Sequence, residues 1–184
     1  HSRYQVKISP EQVVITSGCS PAMLLLFSAI LDPGDRVIIS DPRYACYPNF
    51  IRYLESVPVA VPLHEHEGFQ LMPERVREAL APAAKAILLN SPANPTGMLL
   101  TADRMKAIAN FGPFIVSDEI YHGLVYDDFE HSILEFTNRA FVLNGFSKLY
   151  AMTGLRLGYI IAPAEFIRPL QILHQNFFIS ANSA

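Results

Sequence analysis

The sequence predicts an α/β fold of three layers, with helices on both faces of a mainly parallel, seven-stranded sheet. Two observations predict it. Short β-rich runs alternate with helix-period segments along the 184 residues. Several of the runs are almost continuously apolar, as in Ala86-Ile87-Leu88-Leu89 and Phe114-Ile115-Val116. Runs of that kind suit strands that are covered on both faces.

The elements follow in order. Val13–Thr16 is the first strand, and Ser20–Leu31 the first helix. Asp32-Pro33-Gly34-Asp35 stops that helix and turns the chain into strand Arg36–Ser40. Helix Ala45–Ser56 leads to strand Val57–Pro62. Pro73 suits the first turn of helix Pro73–Leu80, because its missing N–H needs no partner there. Strand Lys85–Asn90 precedes helix Ala102–Asn110, for which Thr101 is the N-cap. Strands Phe114–Asp118, Ala140–Asn144 and Gly158–Ala162 complete the sheet, and helix Ala164–Phe177 follows. The 14 prolines are expected at element ends, as punctuation. No internal repeat or low-complexity linker marks a domain boundary.

Composition excludes several classes. Hydrophobic residues are 51% and charged residues 17%, which rules out a disordered chain. The formal charge of −3 argues against a nucleic-acid partner. No apolar run reaches the length of a membrane helix, so no membrane partner is expected. Cys19 and Cys46 are too few for a disulfide framework. His1-Ser2-Arg3-Tyr4 does not read as the start of a secretion signal, and a cytoplasmic location is the expectation. His64 and His66, flanked by Glu65 and Glu67, read as a solvated turn rather than a metal site, and no metal is expected.

In an open α/β sheet, ligands bind beyond the carboxyl ends of the strands. The unusual residues of this chain fall at those ends. Ser17-Gly18-Cys19-Ser20 follows the first strand and opens a helix. It is either a plain small-residue turn or a place where backbone N–H groups meet an anion. Ser91-Pro92-Ala93-Asn94-Pro95-Thr96-Gly97 is either a rigid loop or one that aims the Asn94 amide at a ligand. Asp118 ends an apolar strand, where an acid must cap, pair or function. Lys148 lies just past strand Ala140–Asn144, where it is a candidate for a Schiff base or a surface charge. His122, Tyr126 and His131 follow Asp118 as loop or packing residues, or as groups at the entrance of a site.

Taken together and in order, these segments resemble the class I/II aminotransferases, which are fold-type-I pyridoxal-phosphate enzymes. The matching pieces are Thr16-Ser17-Gly18-Cys19-Ser20, Asp32-Pro33-Gly34-Asp35, Asp41-Pro42-x-Tyr44, Asn94-Pro95-Thr96-Gly97, Asp118-Glu119-Ile120-Tyr121, Ser147-Lys148 and Gly154-Leu155-Arg156-Leu157-Gly158. Lys148 and Arg156 are eight residues apart, and Asp118 and Lys148 thirty, as in that family.

The resemblance implies an enzyme that transfers an amino group between an amino acid and a 2-oxo acid, with pyridoxal 5'-phosphate as cofactor. Lys148 would form the Schiff base and then move the proton. Asp118 would pair with the ring nitrogen. Tyr121 and Asn94 would bond the ring's phenolic oxygen, and Tyr44 would stack on the ring. Arg156, the backbone of Gly18, Cys19 and Ser20, and the hydroxyls of Ser20 and Ser147 would hold the phosphate. Cys19 would contribute its N–H, not a reactive thiol. Two positions depart from the family pattern. Gly145 stands where many relatives carry serine, and Leu155 where many carry tryptophan.

A complete relative is much longer. The resemblance therefore makes residues 1–184 an incomplete cofactor-binding large domain, without the N-terminal segment or the C-terminal small domain. The arginine that grips the substrate carboxylate has no counterpart here. A homodimer is implied, and exposed apolar residues near Ile172 and Phe177 predict self-association. The same fold also serves pyridoxal-phosphate lyases, decarboxylases and the sensor domains of some transcription regulators.

Overall fold

The structure, a computed structural model, describes residues 4–181. His1–Arg3, in the segment that does not read as a secretion signal, lie outside them. A capping box at Ser9 and Gln12 closes a short 3₁₀ turn, Pro10–Gln12, ahead of the first strand.

Among the described residues seven strands form one sheet: β1 (Val13–Thr16), β2 (Arg36–Asp41), β3 (Val57–Pro62), β4 (Ala86–Asn90), β5 (Phe114–Asp118), β6 (Ala140–Gly145) and β7 (Gly158–Ile161). Their order is β1-β7-β6-β5-β4-β2-β3. Among the described strands β7 alone is reversed relative to the other six, pairing antiparallel with both β1 and β6. The sheet is thus mainly parallel, as the apolar runs predict.

The α-helices of the described residues that cover the sheet are α1 (Cys19–Ile30), α2 (Tyr47–Tyr53), α3 (Pro73–Ala79), α4 (Ala102–Ala109) and α5 (Ala164–Phe178). The period-two geometry of a strand splits each apolar run between two cores. Ala86 and Leu88 of β4 face Leu25, Leu26 and Phe27 of α1 in one core. Ile87 and Leu89 face Val76 of α3 and Met105 and Ile108 of α4 in the other. Phe166 of α5 packs edge-on against Phe114 and Phe141, with ring centroids 5.4 and 5.0 Å away, and fixes that helix on the sheet.

Three local features differ from the sequence reading. Helix α2 is shorter than expected. Pro48 falls in its first turn, and at its end Glu55 adopts a left-handed φ of 57°. There Ser56 N donates to Ile51 O (3.1 Å) and Glu55 N to Arg52 O (3.0 Å), a Schellman closure built without glycine. Pro169 lies inside α5 rather than at an element end. Its missing N–H falls beyond the first turn, so one backbone bond to Glu165 O is given up. Thr101 occupies the N-cap of α4, but its hydroxyl faces Arg104 Nη1 (3.5 Å) rather than a helix N–H.

Strand register sets the site. Asn90, Asp118 and Leu143 are aligned partners across β4, β5 and β6. Thr16, Gly158 and Gly145 are aligned across β1, β7 and β6. The carboxyl ends of β1, β4, β5 and β6 therefore stop along one edge, together with the amino end of the reversed β7. His64 and His66 lie around a 3₁₀ turn at Glu65–Glu67, with their rings stacked at 5.4 Å.

Candidate active site

A cavity of about 320 Å³ opens at that edge. Nine residues singled out from the sequence line it: Cys19, Ser20, Tyr44, Asn94, Asp118, Tyr121, Ser147, Lys148 and Arg156. The tenth, Gly18, is not in that lining but lies against Arg156. The local sequence explains how each arrives there.

Gly18 caps α1 with φ 108° and ψ 168°, a conformation that is essentially open only to glycine. A Cβ built on it would lie 2.7 Å from Arg156 Nη2. One on Gly158 would lie 2.9 Å from Cys19 N. The two glycines let the guanidinium of Arg156 and the N-terminus of α1 share one concave corner. Arg156 itself has φ 53°, and its Nη1 donates to Thr153 O (3.0 Å). A planar cationic fork beside a helix N-terminus is a binding corner for an anion.

Asp118 forms the buried wall. Its Oδ2 accepts from Tyr47 Oη at 2.8 Å, and its Oδ1 from Ile120 N at 3.2 Å and from Cys19 Sγ at 3.8 Å. Burial pushes its pKa above the ordinary carboxylate value, while the Tyr47 bond opposes that rise and the Lys148 charge opposes it least. Cys19 is raised well above a normal thiol, first by burial and then by the Asp118 charge, so it is a packed neutral donor rather than a nucleophile. Tyr47 is raised well above a normal phenol for the same two reasons and stays protonated.

Asn94 and Tyr121 meet: Asn94 Nδ2 donates to Tyr121 Oη at 3.3 Å. The loop that carries Asn94 is tied to the end of β4, because Asn94 N donates to Asn90 Oδ1 (2.7 Å). Asn90 Nδ2 in turn donates to Asp118 O (3.0 Å). The Ser91–Pro92 and Asn94–Pro95 bonds are cis. Lys148 Nζ lies 5.6 Å from the Tyr121 ring centroid, in cation–π range. The Tyr44 phenol is pushed up to about 12, mainly by its bond with Cys46 and then by burial.

Residues 1–184 match the family model "Aminotransferase class I and II". The chain belongs to the class I and II aminotransferase family. Among curated relatives, the (5-formylfuran-3-yl)methyl phosphate transaminase of Methanocaldococcus jannaschii is 42% identical over 97% of this chain and 47% of its own length. The probable aspartate/prephenate aminotransferase of Aquifex aeolicus is 41% identical over 92% of this chain and 45% of its own. Among solved structures, a tetra mutant of Thermus thermophilus aspartate aminotransferase superimposes with a TM-score of 0.95 at 36% identity, covering 98% of this chain and 51% of that one. The chain thus spans about half the length of the relatives it matches, and its α/β fold is theirs.

Within this aminotransferase fold the structure adds residues that the sequence reading missed. Tyr47, Met23, Phe50, Ile120 and Thr153 also line the cavity. Tyr47 matters most, because it donates to Asp118; its one sequence signal is its place three residues after Tyr44. Gly145 has a steric reason: a Cβ there would lie 2.9 Å from Leu157 O, so serine does not fit without a shift of backbone. His122 is buried beneath the site, with Nε2 2.9 Å from Ser91 O. His131 bonds Glu135 (3.0 Å) away from the cavity, and Tyr126 is 89% exposed. Among the described residues no helix is long and apolar enough to cross a membrane.

Proposed function

We propose that residues 1–184 are the cofactor-binding part of a pyridoxal-phosphate-dependent aminotransferase that moves an amino group between an amino acid and a 2-oxo acid. One observation carries the reading: a primary amine, a buried carboxylate and a guanidinium, from Lys148, Asp118 and Arg156, line a single cavity. The named relatives above, all aminotransferases, support it.

The residues fit pyridoxal phosphate group by group. The corner kept open by Gly18, with Arg156 and the first N–H groups of α1, suits a phosphate dianion. Ser20 and Ser147 bring hydroxyls to the same cavity. Asp118, buried and raised in pKa, suits a cationic ring N–H that would hold its charge. Asn94 and Tyr121 suit an anionic ring oxygen. Tyr44 offers an aromatic face. When bound, the cofactor supplies an electron sink for charge that develops on the substrate α-carbon.

This chain's own groups do the rest. Lys148 Nζ would take the proton from the substrate α-carbon as a general base and, as a general acid, give it up to the carbon of the cofactor that receives the amino group. Asp118 would hold a protonated ring nitrogen, and Tyr47 and Ile120 N orient its carboxylate for that role. Tyr47, held protonated, remains a donor throughout.

The same proposal includes a homodimer. Leu149, Tyr150, Met152 and Leu155, on the loop between Lys148 and Arg156, are exposed apolar residues beside the cavity. A second copy of the protein would cover them. The test is an absorbance titration of the chain with pyridoxal phosphate, with Lys148→Ala as control. A band near about 420 nm that vanishes on borohydride treatment and is missing in the variant supports the reading. A spectrum identical in both proteins overturns it.

A further inference from the structure

The turn that follows β5 alternates between two jobs. Asp118, Ile120 and Tyr121 line the cavity. Glu119 and His122 point the other way, into a buried polar layer beneath it. We propose that His122 is a positioning residue for the reaction, tying the Ser91–Gly97 loop to the Glu119–Gly123 turn so that Asn94 and Tyr121 stay in register at the cavity. This rests on the pyridoxal-phosphate reading of the cavity for its chemical consequence, though not for its mechanical one.

The geometry carries the tie. His122 Nε2 lies 2.9 Å from Ser91 O, in a buried contact. A carbonyl oxygen only accepts, so Nε2 bears the proton and donates. Ser91 is three residues before Asn94, and His122 directly follows Tyr121. One hydrogen bond thus links the backbones that carry the two donors of the Asn94–Tyr121 pair.

The other side of the ring is fixed as well. Nδ1 lies 2.6 Å from Tyr4 Oη and 3.4 Å from Glu119 Oε2. The Glu119 carboxylate cannot drift, because its Oε1 accepts from Ser117 Oγ (3.0 Å), Ser132 Oγ (3.1 Å) and Ile133 N (3.0 Å). Glu130 faces the same layer, and its Oε1 accepts from Gly123 N (3.1 Å) at the end of the turn. Whether the Nδ1 side holds a proton or accepts one, Nε2–H still points at Ser91. The tie is therefore independent of the charge state of the layer.

Its consequence for the cofactor follows. Donors to an anionic ring oxygen weaken that oxygen's hold on a neighbouring protonated imine. Loosening Asn94 and Tyr121 should raise the pH at which the cofactor's visible band titrates.

Two variants separate positioning from mere filling of space. Glutamine places its amide near His122 Nε2 and keeps the Ser91 bond. Asparagine places its amide near Nδ1 and loses it. The first readout is amide hydrogen exchange of the cofactor-free chain at Ala93, Asn94 and Gly97, compared with core amides of β4 and β5. His122→Asn should lose about tenfold in protection in the loop alone, and His122→Gln should keep it. The second readout is the pH titration of the bound cofactor's band. His122→Asn should shift it upward by about one pH unit, and His122→Gln should leave it near wild type.

Equal loop protection in wild type and both variants overturns the inference. So does equal loss in both variants, or loss spread evenly through the core, which marks His122 as packing only. A wild-type chain without any cofactor band sinks the functional reading instead, and the exchange data then decide the tie alone.

Discussion

Gly18→Ala tests the anion corner. The native φ of 108° with ψ 168° falls in a region that alanine enters only under strain, at about 1–3 kcal/mol. For a chain of this size that lowers the melting temperature by about 2–12 °C. The new Cβ would also lie 2.7 Å from Arg156 Nη2. That atom ends a flexible side chain, so the clash is relieved by moving the guanidinium away, and little more stability is lost. Binding suffers instead. Losing one charge-assisted bond to phosphate costs about 1.5–3 kcal/mol, or about 10- to 150-fold in affinity.

Gly34→Ala is the matched control. Gly34 also has a positive φ, 88°, but a Cβ there meets nothing within 4 Å. It should lower stability and leave affinity alone. Melting curves and pyridoxal-phosphate titrations on the three proteins provide the assay. If Gly18→Ala binds the cofactor as wild type does, or if Gly34→Ala weakens binding equally, the assignment of this corner to the phosphate is wrong.

Other outcomes follow from the same structure. Tyr47→Phe removes one donor from a buried carboxylate and should lower stability by about 1–3 kcal/mol and weaken cofactor binding, by denaturation and by absorbance titration. Glu119 is raised by burial to about 7 from an ordinary value of 4.5, so the native state holds a proton that the unfolded chain releases. Its contribution, roughly 3 kcal/mol, is full below pH 4.5 and is lost as pH rises through 7. Glu119→Gln should flatten the fall in stability between those two pH values, measured by urea denaturation at stepped pH, and an unchanged slope would contradict this. Phe141→Ala empties a fully buried site between Phe114 and Phe166 and should cost about 3–5 kcal/mol in denaturant unfolding.

Much of this was legible in the sequence because local chemistry and tertiary structure agree. The apolar runs at Ala86–Leu89 and Phe114–Val116 need cover on both faces, and the two cores supply it. Most candidate residues end a parallel strand or lie in the segment that follows one, and in a parallel sheet the ends of such strands share one edge. What stayed hidden depends on contacts between distant residues. Tyr47 lies 71 positions from Asp118, and nothing near either announces the bond. His122 reads as a loop residue until Ser91 and Glu119 are seen beside it. The end of α2 was misplaced because a Schellman closure normally carries glycine, and here Glu55 takes the left-handed position. In the sequence Gly145 is a bare departure from the family's serine, whereas in space it is a close approach to Leu157 and Gly158.

The central claim is that Lys148 is the amine of a pyridoxal-phosphate site. The most direct measurement is borohydride reduction of the chain with the cofactor, followed by peptide mapping by mass spectrometry. The account predicts a reduced phosphopyridoxyl adduct on the peptide containing Lys148, at near one equivalent, that is lost in Lys148→Ala. An adduct spread over other lysines, or one that persists unchanged in the variant, would contradict it.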